Sequence, residues 1–101
     1  MEKRKPHYGL ATIQAAVRAR GVDAFTASAL IGALTMGISE EEAVAIVCAM
    51  SRADFFKSMT THASSQIWQD VYHATTASGK VAYVKVTQRP NGAIVISFKE
   101  K

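Results

Sequence analysis

The stretch Asp54–Tyr72, D-F-F-K-S-M-T-T-H-A-S-S-Q-I-W-Q-D-V-Y, decides how this chain folds. Composition changes within it. Upstream the sequence is Ala-rich with apolar residues at helical spacing. Downstream it is β-branched and aromatic with apolar residues at every second position. The stretch holds the only Trp, one of the three Tyr and two of the four Phe, with Lys57, Gln69 and Asp70 set among them. It reads as two strands, Phe55–Thr61 and Ile67–Tyr72, joined by a polar turn at His62–Gln66. Both strands mix polar and apolar residues on each face, so alternation leaves open which side is core, and Asp70 reads equally as a buried partner, a cap or a base. Trp68 and Tyr72 read as buried structure.

Upstream, Met1–Gly9 carries Lys3-Arg4-Lys5 and reads as an exposed arm. Leu10, Ile13 and Val17 then recur at helical spacing, with Arg18 and Arg20 turned away, until Gly21 stops the helix. Val22 is β-branched and predicts a short extended piece. Thr26 or Ser28 can cap a second helix whose apolar side would be Leu30, Ile31 and Leu34, ended by Gly37. Ser39-Glu40-Glu41-Glu42 has capping-box spacing, and its acids stand at the positive end of the helix dipole. The third helix would bury Ala43, Ile46, Val47 and Met50 and end near Ser51.

Downstream, Lys80–Thr87 and Ala93–Lys99 alternate, with a connector at Thr75–Lys80. The turn between these strands sets their register. A two-residue Asn91-Gly92 loop would place apolar residues opposite polar ones along the whole hairpin. A three-residue loop, Pro90-Asn91-Gly92, pairs Arg89 with Ala93 and uses Pro and Gly where such turns need them. Val86 then faces Ile96 and Val84 faces Phe98. On the other side Lys85 faces Ser97 and Tyr83 faces Lys99, with Cβ atoms about 5 Å apart. The expected fold is therefore α+β: three N-terminal helices on one face of a C-terminal antiparallel sheet, with Tyr83 and Lys99 adjacent on the other face.

A chain of 101 residues is enough for one core, so residues 1–101 read as a single domain. No apolar run approaches a membrane span of about 20 residues, and no apolar segment follows the basic start as in a secretory signal. The one cysteine, Cys48, lies in an apolar run, reads as a buried thiol, and excludes an internal disulfide. Cysteine and histidine show no ligand spacing, so no metal site and no cofactor is expected. These features point to an intracellular, cytoplasmic protein. The net charge of +4 leans toward polyanions.

The start M-E-K-R-K-P-H, the run F-F-K-S-M-T-T (Phe55–Thr61), I-W-Q-D-V-Y (Ile67–Tyr72) and the end I-S-F-K-E-K (Ile96–Lys101) resemble the MqsR toxins of the MqsR–MqsA toxin–antitoxin pair. The resemblance spans the chain, is densest in Lys57–Tyr72 and at the C-terminus, and is loose through the helices. It departs in the turn His62–Gln66 and the connector His73–Lys80. It implies a RelE-like toxin fold. It also implies an mRNA interferase: a metal-independent, ribosome-independent endoribonuclease cutting single-stranded mRNA at short GC-containing triplets. The implied partner is an MqsA-like antitoxin, itself zinc- and DNA-binding, and the implied biology is biofilm formation, stress response and persistence. The implied functional positions are Lys57, Gln69, Tyr83 and Lys99.

Cleaving RNA without a metal requires a group that takes the 2′-hydroxyl proton, charge stabilisation at the phosphorane and a proton for the leaving oxygen. The expected roles are Lys57 and Lys99 flanking the scissile phosphate, Tyr83 moving a proton and Gln69 positioning by hydrogen bonding. The histidines His7, His62 and His73 sit on an arm, a turn and a strand end, with no spacing that pairs them, and His62 is the outside candidate for acid or base. The rival class is a non-enzymatic RNA- or DNA-binding regulator. It would use the same face, but no aromatic ladder is legible there and no clear helix-turn-helix precedes it.

Overall fold

The computed structural model describes residues 1–101. A two-residue strand β1 (Glu2–Lys3) comes first, then helices α1 (Leu10–Arg20), α2 (Ala27–Thr35) and α3 (Glu40–Ala49), then strands β2 (Phe55–Thr60), β3 (Trp68–Thr75), β4 (Val81–Gln88) and β5 (Ile94–Glu100). All strand pairs are antiparallel and the sheet order is β1-β2-β3-β4-β5. The expected α+β architecture holds, with one addition: the arm is not free, because β1 forms the outer strand beside β2, Glu2 opposite Met59 and Lys3 opposite Ser58.

The helices form where capping and spacing require. Val17 and Ile13 are fully buried on α1. Thr26, not Ser28, caps α2, its hydroxyl accepting from the Ala29 amide at 3.0 Å. The box at α3 closes in both directions, Glu42 amide to Ser39 Oγ at 3.1 Å and Ser39 amide to Glu42 Oε1 at 3.3 Å. Two expectations differ. Val22 lies in a 3-10 turn, Gly21–Ala24, rather than an extended piece. Ile31 and Leu34 are exposed at 65% and 73%, while Ala29 and Ala33 are the residues α2 buries. The small side of α2 faces inward because the helix lies directly on the backbone of β5.

Gly32 makes that approach possible. A methyl group built there would stand 2.3 Å from the Phe98 carbonyl oxygen and 3.3 Å from Lys99 Cα. The preceding segment adds to the same edge, with Thr26 N–H donating to the Ile96 carbonyl at 3.1 Å. The outer edge of β5 is thereby covered, which removes it as a template for pairing with other chains. Gly32→Ala gains about 1 kcal/mol of helix propensity but collides with backbone that cannot swing aside, and overpacking costs about 1–3 kcal/mol or more. We expect a net loss of about 1–2 kcal/mol in urea unfolding; a stabilised variant would show that α2 can lift from β5 at no cost.

One cluster of 19 buried residues joins all three helices to the sheet, so neither half has a core of its own. Tyr72, Ala74, Ala82, Val84, Val86, Ile94, Ile96 and Phe98 supply the sheet side. The last hairpin closes through the three-residue loop: Arg89 N–H donates to the Ala93 carbonyl at 2.9 Å and Gly92 takes a φ of 88°. Val86 faces Ile96, Val84 faces Phe98, Lys85 faces Ser97 and Tyr83 faces Lys99, as the register required. Cys48 is half-buried. No helix is long and apolar enough to cross a membrane.

The mixed faces of β2 have a cause. Phe55 lies opposite Tyr72 and Lys57 opposite Val71, so Phe56 is an extra residue in a β-bulge. Phe55 packs edge-on against Tyr72 in the core, ring centroids 5.5 Å apart. After the bulge Ser58, not Lys57, points inward and is fully buried. It meets Asp70, also fully buried, which accepts from Ser58 Oγ (2.7 Å), the His7 amide (3.0 Å to each oxygen) and the Tyr8 amide (2.9 Å). Asp70 is thus the buried partner that ties the N-terminal arm to the sheet. Tyr72 is wholly buried with no partner for its hydroxyl, and burial, reinforced by the Asp70 charge, pushes its pKa up to about 12.

Candidate active site

The helices cover one face of the sheet, and all four expected residues lie on the other. Antiparallel pairing sorts that open face into rows running across the strands. One row is His73, Tyr83 and Lys99; the next is Lys57, Val71, Lys85 and Ser97; a third is Glu2, Met59, Gln69, Thr87 and Val95. Tyr83 and Lys99 are direct cross-strand neighbours, with the Lys99 ammonium 5.6 Å from the Tyr83 ring centre. Lys85 and Ser97 stand beside them. Together with Ser28 and Ala29 at the start of α2, these side chains line a shallow cavity of about 190 Å³. Larger cavities lie elsewhere: one of about 350 Å³ on the helix side, among Ala45, Ile46, Ala49, Met50 and Ala74, is mostly apolar and has no cation in its lining, and one of about 490 Å³ under the N-terminal arm has Lys5, His7 and Arg52 in its lining but none of the four expected residues.

Lys57 and Gln69 are set apart from this pair. Gln69 is one row beyond Lys57, on the neighbouring strand. The backbones of Lys57 and Lys99 are three strand spacings apart across the sheet, about 14 Å. Lys57 is also engaged: its ammonium pairs with the Glu2 carboxylate. The hydrogen bond from Lys57, reinforced by its charge, holds the Glu2 carboxyl below the usual carboxylate range. So the two lysines do not bracket a single point.

A row of rings connects them. Phe56 lies on the open face, where it stacks on His73 with centroids 4.4 Å apart and planes 25° apart. His73 in turn leans on Tyr83 at 5.6 Å and 39°. The Lys57 ammonium is 5.4 Å from the Phe56 ring and the Arg4 guanidinium 5.9 Å. Arg4 and Lys57 therefore mark one end of a three-ring row and Lys99 the other. This corrects the expectation that the face lacks an aromatic ladder. Two signals were missed. β3 runs to Thr75 rather than Tyr72, so His73 lies inside a strand, and the bulge brings Lys57 onto the same face as Phe56. A strong sequence cue existed for neither, though F-F-K offered two adjacent aromatics that an unbroken strand would have split between faces.

His73 is held in this row with its Nε2 shielded and without a partner. Burial pushes its imidazole pKa down, and the Lys101 charge adds to the effect. The neutral ring is therefore favoured in the folded state. A group whose folded pKa lies below its unfolded value contributes stability above the unfolded value and loses it as pH falls. With an unfolded value of about 6.5, the melting temperature should drop between pH 7.5 and 5.5. In His73→Phe, which keeps a ring between Phe56 and Tyr83, it should drop less; equal drops by calorimetry would show that His73 does not couple folding to protons. His62 is exposed in the β2–β3 turn, at the Gln69 end and away from Tyr83 and Lys99. No three His, Cys, Asp or Glu side chains converge as a metal-ligand set.

Arm residues complete the sheet edge beside Lys57. His7 stacks on Trp68 at 5.4 Å, the Lys3 ammonium lies 4.2 Å from the Trp68 ring centre, and the Tyr8 hydroxyl donates to the Trp68 carbonyl at 2.7 Å. Trp68 is thus half-exposed under a basic arm rather than buried.

Residues 5–100 match the family model described as motility quorum-sensing regulator, toxin of MqsA. The chain is also 40% identical to the mRNA interferase toxin MqsR of Escherichia coli (strain K12), over 101 residues that span the whole of both sequences. The likeness legible in Phe55–Tyr72 and at the C-terminus extends over the chain, and the protein belongs to the MqsR toxin family.

Proposed function

We propose that this chain is the toxin of a toxin–antitoxin pair, an endoribonuclease that cuts single-stranded mRNA in the cytoplasm by a metal-independent route. The observation that carries the reading is the Tyr83–Lys99 pair, open to solvent at one end of a cationic row of rings. The 2′-hydroxyl gives up its proton as it attacks the adjacent phosphorus, the 2′-O–P bond forms, the P–O5′ bond breaks, and the leaving O5′ takes up a proton, so that no net proton is consumed. Lys99, with Lys85 beside it, stabilises the charge gathered on the phosphoryl oxygens. Tyr83 moves a proton at the same phosphate. Lys57, at the far end of the row, holds a neighbouring phosphate of the same strand, and Gln69 hydrogen-bonds the chain beyond it. The products are a 2′,3′-cyclic phosphate and a 5′-hydroxyl. Cleavage falls at short GC-containing triplets, without a ribosome, and a cognate MqsA-like antitoxin holds the activity in check.

The test is purified RNA incubated with the protein in excess EDTA, with sequencing of the new 5′ ends. Short fragments bearing 5′-hydroxyls at a recurring triplet are expected. Activity abolished by EDTA overturns the metal-independent route. An intact RNA band that only shifts in a native gel overturns the cleaving reading in favour of a non-cleaving regulator.

A further inference from the structure

We propose that Phe56 is a nucleobase seat, taking one unpaired base of the RNA strand beside the scissile phosphate that Tyr83 and Lys99 serve. This rests on the RNA-cleaving reading and assigns a residue to its preference for single strands.

The position of Phe56 has no structural explanation in the core. It is 40% exposed and lies on the open face with His73, while its neighbour Phe55 is half-buried against the core cluster. Alternation alone separates the two; the bulge keeps Lys57 on the same face as Phe56. Without it, alternation would put Phe56 and Lys57 on opposite faces; with it, both reach the open face. An exposed aromatic ring would ordinarily gain from burial, yet here the strand presents it. It is presented in company. His73 lies nearly parallel behind it at 4.4 Å, and two cations, Arg4 and Lys57, sit within 6 Å of the ring centre. A ring backed by a second ring and edged by cations can stack a base and neutralise the phosphates on either side of it.

The geometry also states what such a seat selects. Every base has a π-face, so stacking on Phe56 is tolerant of base identity and contributes to affinity rather than to the choice of triplet. A base within a duplex already has both faces occupied, so it cannot reach the ring without being unstacked. Phe56 is also three strands from Lys99, so its base is near the cleaved phosphate and not at it. Substitution should therefore act on binding and leave the chemical step in place.

The experiment uses the full-length protein and oligonucleotides of a cleaved sequence made wholly of 2′-O-methyl nucleotides, which lack the attacking hydroxyl. One abasic site is walked along the strand, and dissociation constants are read by fluorescence anisotropy for wild type, Phe56→Leu and Phe56→Trp. At one position the abasic site should weaken wild-type binding about ten-fold and cost Phe56→Leu nothing further, while Phe56→Trp behaves as wild type. On unmodified RNA, Phe56→Leu should raise KM about ten-fold with kcat within about two-fold; a merely structural role for Phe56 would produce no such split and no coupling to a single base. Equal abasic losses in wild type and Phe56→Leu at every position overturn the seat while leaving the RNA-cleaving reading intact. Failure of wild type to bind or cut any RNA overturns both.

Discussion

Tyr83→Phe and Lys99→Ala are each expected to slow RNA cleavage by about 100-fold or more, read as kcat/KM on a fluorogenic single-stranded RNA. Tyr83→Phe removes one oxygen and leaves the ring that supports His73, so binding should be nearly unchanged and the loss should fall on kcat. A positioned proton-transfer group contributes about 10²–10⁴-fold, and an electrostatic group aimed at developing charge about 10²–10³-fold. Because the two side chains are direct neighbours serving one phosphate, their effects should not add: the double variant should be little slower than the worse single one. Lys57→Ala should behave differently. Its ammonium is at the far end of the row and shared with Glu2, so its loss should raise KM and spare kcat. Neither Tyr83 nor Lys99 contributes to the buried core, so melting temperatures should stay close to wild type. Near-wild-type cleavage by both single variants would remove the pair from the mechanism.

Asp70→Ala is expected to cost about 3 kcal/mol of stability, because three donors lose their acceptor in one step. The amides of His7 and Tyr8 and the hydroxyl of Ser58 all converge on this carboxylate, in a place where water cannot freely replace it. Each buried donor left unpaired costs about 1–3 kcal/mol, partly recovered if the arm peels away into solvent. For a domain of this size the melting temperature should fall by more than about 10 °C. The consequence extends to the site. If the arm detaches, β1 leaves the sheet edge and takes Glu2 from Lys57 and Arg4 from Phe56. Cleavage measured well below the melting temperature should then show a raised KM with kcat retained. Asp70→Asn keeps the shape and one acceptor oxygen and should lose less. A loss under about 1 kcal/mol on Asp70→Ala would mean that the arm is held by β1 pairing and the Trp68 stack instead.

The two changes probe parts of the protein that were unequally legible. The Tyr83–Lys99 pair followed from local rules: alternation, the length of the Pro90-Asn91-Gly92 loop and the positive φ that Gly92 supplies. Within a hairpin, each of these is set by residues close in sequence. The capping box at α3 was legible for the same reason. Lys57 and Gln69 were reached through family likeness, since mixed faces on β2 and β3 hid their direction. Ile31 and Leu34 misled because spacing reports an apolar stripe but not how close the helix will come. Gly32 and the alanines let α2 press on β5, and the larger side chains were left outside.

The sequence by itself determined the division into helices and sheet, the capping box at Ser39–Glu42, the stops at Gly21 and Gly37, and the register that puts Tyr83 beside Lys99. These depend on interactions among residues a few positions apart, which turn chemistry and periodicity record. Only the tertiary structure decided the rest: that the arm becomes a strand pinned by Asp70, that Lys57 shares its charge with Glu2, and that one bulge at Phe56 sets Lys57 at the end of a row of rings across the open face. Each of those joins residues on different elements, up to 63 positions apart in the case of His7 and Asp70. Such contacts depend on packing the whole domain, and no local pattern in the chain encodes them.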